Sequence, residues 1–300
     1  MERYSVHLKL LGMAVLWGAS WPMGRMLGQS LPPLTGGAVR FVLASFLLLG
    51  WLFARSRFAT LAALSARQWL GLAVAASVGV CGYAVFFMLG LQEMPAGKAA
   101  VVVAVNPVLT LLLATWFFGE RLNAKILAGM LLAVGGAIMV VTQGQPLTVL
   151  SGGINAGEWL IFGCVVCWAA YTLIGRAVLR GIDALTVTAA TSFIGALMLS
   201  AVALWTDGMP FEAIAAMDGR GWTALAWLVI GATVLAYAWY FEGVKTLGAG
   251  SAAAYITLVP IFGVLSSAWF LGEPLHISLV AGCAAAVGGM TLMRYGQKAV

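Results

Sequence analysis

Residues Trp17 to Arg25 (WGASWPMGR) align without a gap, 151 positions on, with Trp168 to Arg176 (WAAYTLIGR), and the same register carries Leu34-Thr35 onto Leu185-Thr186. Later in each half, Pro107, Trp116, Gly119-Glu120, Leu122, Gly129 and Gly135-Gly136 recur 153 positions on as Pro260, Trp269, Gly272-Glu273, Leu275, Gly282 and Gly288-Gly289. One ancestral unit is used twice. Each copy carries an odd number of hydrophobic spans, so the second enters a membrane from the opposite side. Such inverted repeats are a construction that moves small solutes.

That reading needs a membrane, and composition supplies it. Of the 300 residues 62% are hydrophobic and 9% charged, and the mean hydropathy of +1.00 lies far outside the range of soluble domains. A span takes about 20 mainly apolar residues. Ten are expected, roughly at 10 to 28, 34 to 54, 68 to 91, 98 to 118, 125 to 142, 158 to 178, 184 to 205, 222 to 242, 250 to 271 and 277 to 294. The fold expected is all-α and integral to the membrane, with two inverted five-helix repeats (1–142 and 158–300) around a central cavity, joined by an extracytoplasmic linker at 143–157. Little chain remains for a soluble catalytic or regulatory domain.

The net charge of +6 does not point to nucleic acid, because the basic residues are scattered between spans without aromatic interleaving. They encode orientation instead. With the N-terminus cytoplasmic, Arg3, Lys9, Arg55, Arg57, Arg67, Arg121, Lys125, Arg176, Arg180, Lys245, Arg294 and Lys298 fall inside; only Arg25, Arg40, Lys98 and Arg220 fall outside or near the outer leaflet. This positive-inside bias places both termini in the cytoplasm. The first span resembles a signal peptide, but its copy in the sixth span argues against cleavage. Cys81, Cys164, Cys167 and Cys283 all lie within spans, where they read as apolar thiols, with no metal site and no cofactor implied.

Paired glycines on the fifth and tenth spans, Gly129 with Gly136 and Gly282 with Gly289, allow close helix approach in lipid, as scaffold or as a surface for a weak homodimer. Pro107 and Pro260 sit mid-span at equivalent places, and Pro22 lies in the first span. Each removes an amide donor and disturbs the carbonyl four residues earlier, near Val103, Ile256 and Gly18. In lipid the freed groups either find a neighbouring helix or line a cavity, and a matched pair of interrupted helices points to hinge or cavity use.

The aromatic residues divide by depth. Trp51, Trp69, Trp159, Trp205 and Trp222 lie near span ends and read as interfacial belt. Trp17, Trp21, Tyr83, Phe86, Phe87, Trp168, Tyr171, Tyr237, Tyr240 and Tyr255 lie deeper, on five different spans. Core packing accounts for any single one; together they could wall an apolar cavity with a few donors. Asn106, beside Pro107, either binds a charged group of a solute or bonds to a neighbouring helix. Arg25 and Arg40 either snorkel outward or attract an anionic group. None of the ten acidic residues sits clearly at mid-span. A proton-coupled pump usually keeps a titratable group there, so transport down the solute's own gradient is expected.

At these residues the chain resembles the drug/metabolite transporter superfamily, EamA type. The tryptophan-glycine opening of the first span, Arg40-Phe41 in the second (AVRFVLASFLLLGWL), and the proline followed by GERL or GEPL with a glycine-paired final helix in each half carry the likeness. The resemblance implies a basket of ten helices around a central cavity, similar to YddG-type bacterial exporters of aromatic amino acids. It makes the expected partners a small-molecule substrate, an amino acid or related metabolite, and the lipid of a bacterial inner membrane. No span offers the convergent His, Asp, Glu or Ser of a membrane-embedded enzyme. An aromatic cavity also suits organic cations, so a proton-driven multidrug carrier stays open as the alternative.

Overall fold

The structure is a computed structural model that describes residues 2–55, 60–61, 63–119, 122–145, 155–178, 181–247, 252 and 255–297. Most of the expected linker (146–154) lies outside the described residues, as do Arg57, Glu120, Arg121, Arg180 and Lys298. All regular structure among the described residues is helical: α1 (Glu2–Gly18), α2 (Ser20–Ser30), α3 (Pro33–Ala54), α4 (Ala66–Ala76), α5 (Tyr83–Glu93), α6 (Ala96–Val103), α7 (Asn106–Phe118), α8 (Ala124–Val141), α9 (Ala156–Val178), α10 (Ala184–Thr206), the short α11 (Phe211–Ala215), α12 (Gly219–Ala226), α13 (Ala236–Leu247), α14 (Val259–Leu271) and α15 (Ile277–Gln297). Two π-helical segments, Ser77–Gly82 and Trp227–Leu235, join α4 to α5 and α12 to α13.

Among the described residues, eight stretches are long and apolar enough to cross a membrane. The expected first and ninth spans differ. The first is a longer helix that begins at Glu2, breaks at Ala19 and resumes to Ser30. In the ninth, the described helix is the short Val259–Leu271. Both breaks lie two or three residues before the point where proline withdraws an amide. The fourth span breaks likewise: α6 stops at Val103, two tightened bonds carry Ala104 and Val105 (to Val101 and Val102 carbonyls, 3.1 and 3.2 Å), and α7 restarts beside Pro107. The three interrupted helices meet at their breaks, where a Cβ on Gly18 would lie 2.5 Å from Cβ of Phe262, and one on Gly263 would lie 2.5 Å from Cβ of Ala100.

The helix pairs follow a two-fold pattern that the repeat explains. The equivalent helices α8 and α15 pack on each other, as do α3 and α10; α14 packs on the fourth-span segment α6. The pairing of α5 with α9, between the halves, is matched by that of α13 with α1. The repeated Leu-Thr pair has a shared job. Thr35 donates its N–H (2.8 Å) and Oγ1–H (3.1 Å) to Asp207, and Thr186 donates the same two groups (3.1 and 2.6 Å) to Asp183. Asp183 caps its own helix; Asp207 caps α3 from the far end of α10. Losing a cap of this kind costs about 0.5–2 kcal/mol, so Asp207→Ala should lower the melting temperature of the detergent-solubilised protein by several degrees. An unchanged melting curve would show that water replaces the cap.

Large apolar side chains face outward all round the bundle, among them Phe46 (65% exposed), Leu131 (75%) and Trp116 and Trp269 (81% and 84%). A soluble protein does not tolerate this much exposed apolar surface. The belt residues Trp69, Trp159, Trp205 and Trp222 are exposed as well. Between the halves the core is continuous from α2, α3 and α5 to α9, α10 and α12.

Candidate functional site

The π-helical segments position the deep aromatic residues. A π turn inserts an extra residue, shifts the helical face that follows, and leaves a carbonyl without its α-helical partner. In the Trp227–Leu235 segment the Ala232 carbonyl accepts the indole N–H of Trp17 at 2.8 Å, while Trp227 donates its own indole N–H to the Leu16 carbonyl at 3.2 Å. Trp17 is thereby held against Tyr237 and Tyr240, with ring centroids 5.3 and 5.7 Å away. Beyond the Ser77–Gly82 segment, the Tyr83 carbonyl receives the Cys164 thiol at 3.7 Å. The Tyr83 ring lies 6.0 Å from Trp168 and is stacked on Phe87 at 6.1 Å. The row continues from Trp168 to Tyr171 (5.9 Å) and from Phe87 to Trp21 (5.0 Å).

Arg40 stands between the two aromatic groups. It lies about two turns, or about 10 Å, into α3. Its guanidinium carbon is 4.9 Å from the Phe41 ring centroid and 5.9 Å from that of Phe87, within electrostatic reach of Tyr83 and Tyr237. Its Nε is buried and bonded to nothing among the described residues. Arg40, Trp17, Tyr83, Trp168, Tyr171, Tyr237 and Tyr240 are all half-buried, whereas Phe87 and Trp21 behind them are sealed at 3% and 4% exposure.

The described carboxylates are engaged elsewhere. At one end of the bundle, Glu158 pairs with Lys98 at 2.5 Å. Near it, Glu273 accepts the Ala96 and Gly97 amides that open α6 (2.7 and 2.9 Å) and sits 4.0 Å from Arg25. Arg25 also donates to the Met94 carbonyl at 2.6 Å. At the other end Lys9 pairs with Glu242 at 2.6 Å, and His7 shares a 2.7 Å hydrogen bond with the hydroxyl of Tyr255. Asp183, Asp207 and Asp218 cap helices, while Glu93 and Glu212 are exposed.

The sequence-predicted residues therefore separate. Trp17, Trp21, Tyr83, Phe87, Trp168, Tyr171, Tyr237 and Tyr240 form the two linked groups around Arg40. Tyr255 packs at the edge of the Trp17 and Tyr240 cluster with its hydroxyl turned to His7. Asn106 opens α7 with a buried, unbonded Oδ1. The prolines are unequal: Pro22 and Pro260 are buried, and Pro107 is exposed. Gly129 and Gly136 face Gly289 and Gly282 inside the chain, so this glycine face serves as scaffold and is not open to a second copy. Sequence reasoning passed over the π segments and the ion pairs at the two ends of the bundle.

A profile of the EamA-like transporter family matches residues 5–142 and again 155–295. Among relatives, a Bacillus subtilis protein named "Uncharacterized transporter YyaM" is 27% identical over 97% of this chain and 93% of its own length. A Salmonella typhimurium protein named "Probable amino-acid metabolite efflux pump" is 26% identical, covering 99% and 96%. A "Probable terminal-alkyne amino-acid exporter" of Streptantibioticus cattleyicolor is 26% identical over 74% and 72%. One solved crystal structure shares the fold, with a TM-score of 0.64 at 23% identity and 97% coverage of each chain. Two matches to one profile, on a helical bundle with its apolar face outward, have a plain meaning: the chain belongs to the EamA-like transporter family, and it is a multi-pass membrane transporter rather than an enzyme.

Proposed function

We propose that this transporter exports small metabolites, foremost aromatic or other apolar amino acids, across a bacterial inner membrane, moving them down their own gradient by alternating access. The observation that carries the reading is the convergence of aromatic residues from α1, α2, α5, α9 and α13 into two half-buried groups flanking one cation. Relatives named for amino-acid export support it. In this reading the substrate ring packs on Trp17, Tyr83, Trp168 and Tyr237. Asn106 offers its unbonded Oδ1 to the ammonium group, and the breaks at Pro22, Pro107 and Pro260 are hinges.

The chain is then two units, 1–142 and 158–300, joined by 143–157, with ten crossings and cytoplasmic termini. Alternate crossing puts Lys98, Glu158, Arg25, Glu273, Thr35 and Asp207 outside and Lys9, Glu242, His7 and Tyr255 inside. The contacts above join each group only within itself, which supports that topology. Rocking of one unit against the other would open the ion pairs of one end at a time. A cation exporter would be expected to turn a carboxylate toward these rings, and the described carboxylates do not face them.

Flux from proteoliposomes preloaded with labelled tryptophan, phenylalanine, threonine or an organic cation tests the proposal. Aromatic amino acids should leave fastest, with no dependence on a proton gradient, and Trp168→Ala should slow them about two- to tenfold, on the order of the 0.5–1.5 kcal/mol of a lost aromatic pair. Cation flux that requires protons would overturn the reading.

A further inference from the structure

We propose that Arg40 is the carboxylate anchor of the transport site, so that the substrate is selected as an anion-bearing solute before it is selected as an aromatic one; the aromatic half of this statement rests on the proposed function, the anionic half does not. An arginine within a span is costly, and such residues ordinarily pair with a carboxylate or backbone carbonyl. Arg40 makes no hydrogen bond to the described residues, and its Nε is buried and bare. The Phe41 and Phe87 rings at 4.9 and 5.9 Å compensate part of the charge, about 0.5–2 kcal/mol each at most. No described carboxylate supplies the rest. Snorkelling does not relieve it either, because the side chain lies over the buried Phe87 ring of α5 instead of running to the helix end.

Chemistry then defines the missing partner. Nε and one terminal nitrogen form the side edge of the guanidinium, which grips a carboxylate through two parallel N–H···O bonds. A carboxylate seated there places an adjoining side chain against Phe87, Tyr83 and Trp168, the rings strung out from the Arg40 contact. The rings alone would accept an amine as readily as an acid; Arg40 makes the preference by repelling a solute whose charge is only positive. The unpaired Nη1 of Arg294, on α15 near Tyr240, adds positive charge beyond the second aromatic group and reinforces that preference.

The test is equilibrium binding to the purified, detergent-solubilised transporter of phenylalanine, phenylalaninol (no carboxylate) and 3-phenylpropionate (no amine), on the wild type, Arg40→Gln and Arg40→Lys. Wild type should bind phenylalanine and 3-phenylpropionate at least tenfold more tightly than phenylalaninol; Arg40→Gln should erase that ratio and Arg40→Lys keep part of it. The ligand series on the wild type can overturn the proposal even if a variant does not fold. Binding of aromatic amino acids with the ratio intact in Arg40→Gln overturns the anchor and leaves the proposed function standing. Binding of lactate or acetate that depends on Arg40, with no aromatic binding, keeps the anchor and retires the aromatic reading. Phenylalaninol bound as well as phenylalanine overturns the anchor outright.

Discussion

Lys98→Met is expected to cost the protein about 3–5 kcal/mol, the effect of stripping one partner from a buried ion pair. The side chains of Lys98 and Glu158 are only 14% and 6% exposed, so little water reaches the carboxylate left behind. The other oxygen of Glu158 accepts the Asn155 amide at 2.8 Å, which fixes its position and prevents it from swinging out to find another cation. The double variant Lys98→Met/Glu158→Leu removes both charges and should recover much of the loss, because the pair itself contributes little once the desolvation of both ions is counted. Thermal unfolding of the four proteins in one detergent gives the cycle. If Lys98→Met unfolds within a degree of wild type, the pair is solvated and that end of the bundle is open.

This pair also marks where sequence reasoning stops. The repeat, the interrupted helices and the aromatic grouping of the candidate site were legible because each leaves a local mark: a repeated word, a proline inside an apolar run, a tyrosine or tryptophan away from a span end. Which charge meets which was not. Lys98 and Glu158, or Ala96 and Glu273, are brought together by the packing of helices from different halves, and nothing near either residue announces its partner. Arg40 shows the same limit from the other side. Its two readings, outward snorkelling and attraction of an anion, differ only in the direction of the side chain, and that direction depends on where α5 and α13 place their rings. The π segments were hidden because their residues, Ser77 to Gly82 and Trp227 to Leu235, are as apolar as the α-helices around them. Their effect is a rotation of the helix beyond, visible only once Tyr83 and Tyr237 are seen on the inner face.

The glycine pairs lead to the second large effect, and here adjacent residues of one pair should behave oppositely. A Cβ on Gly289 would lie 2.4 Å from the Ala133 nitrogen and 2.5 Å from the Gly129 carbonyl oxygen; one on Gly136 would lie 2.5 Å from the Gly282 oxygen and 2.7 Å from the Ala286 nitrogen. The two contacts are images of each other under the repeat, since Gly129 corresponds to Gly282 and Gly136 to Gly289. The obstructing atoms are backbone and cannot turn aside, so Gly289→Val forces α8 and α15 apart along their length. In lipid this close packing is what holds helices together, and the expected cost is about 3 kcal/mol or more, the upper range for overpacking. A Cβ on Gly288 would meet only the Leu132 side chain at 3.7 Å, an ordinary contact, and one on Gly135 would meet nothing within 4 Å. Gly288→Val and Gly135→Val should therefore melt with wild type while Gly289→Val loses its monodisperse peak in size-exclusion chromatography. If all three melt together, α8 and α15 are not packed through these glycines, and the scaffold on which the two halves are proposed to rock lies elsewhere.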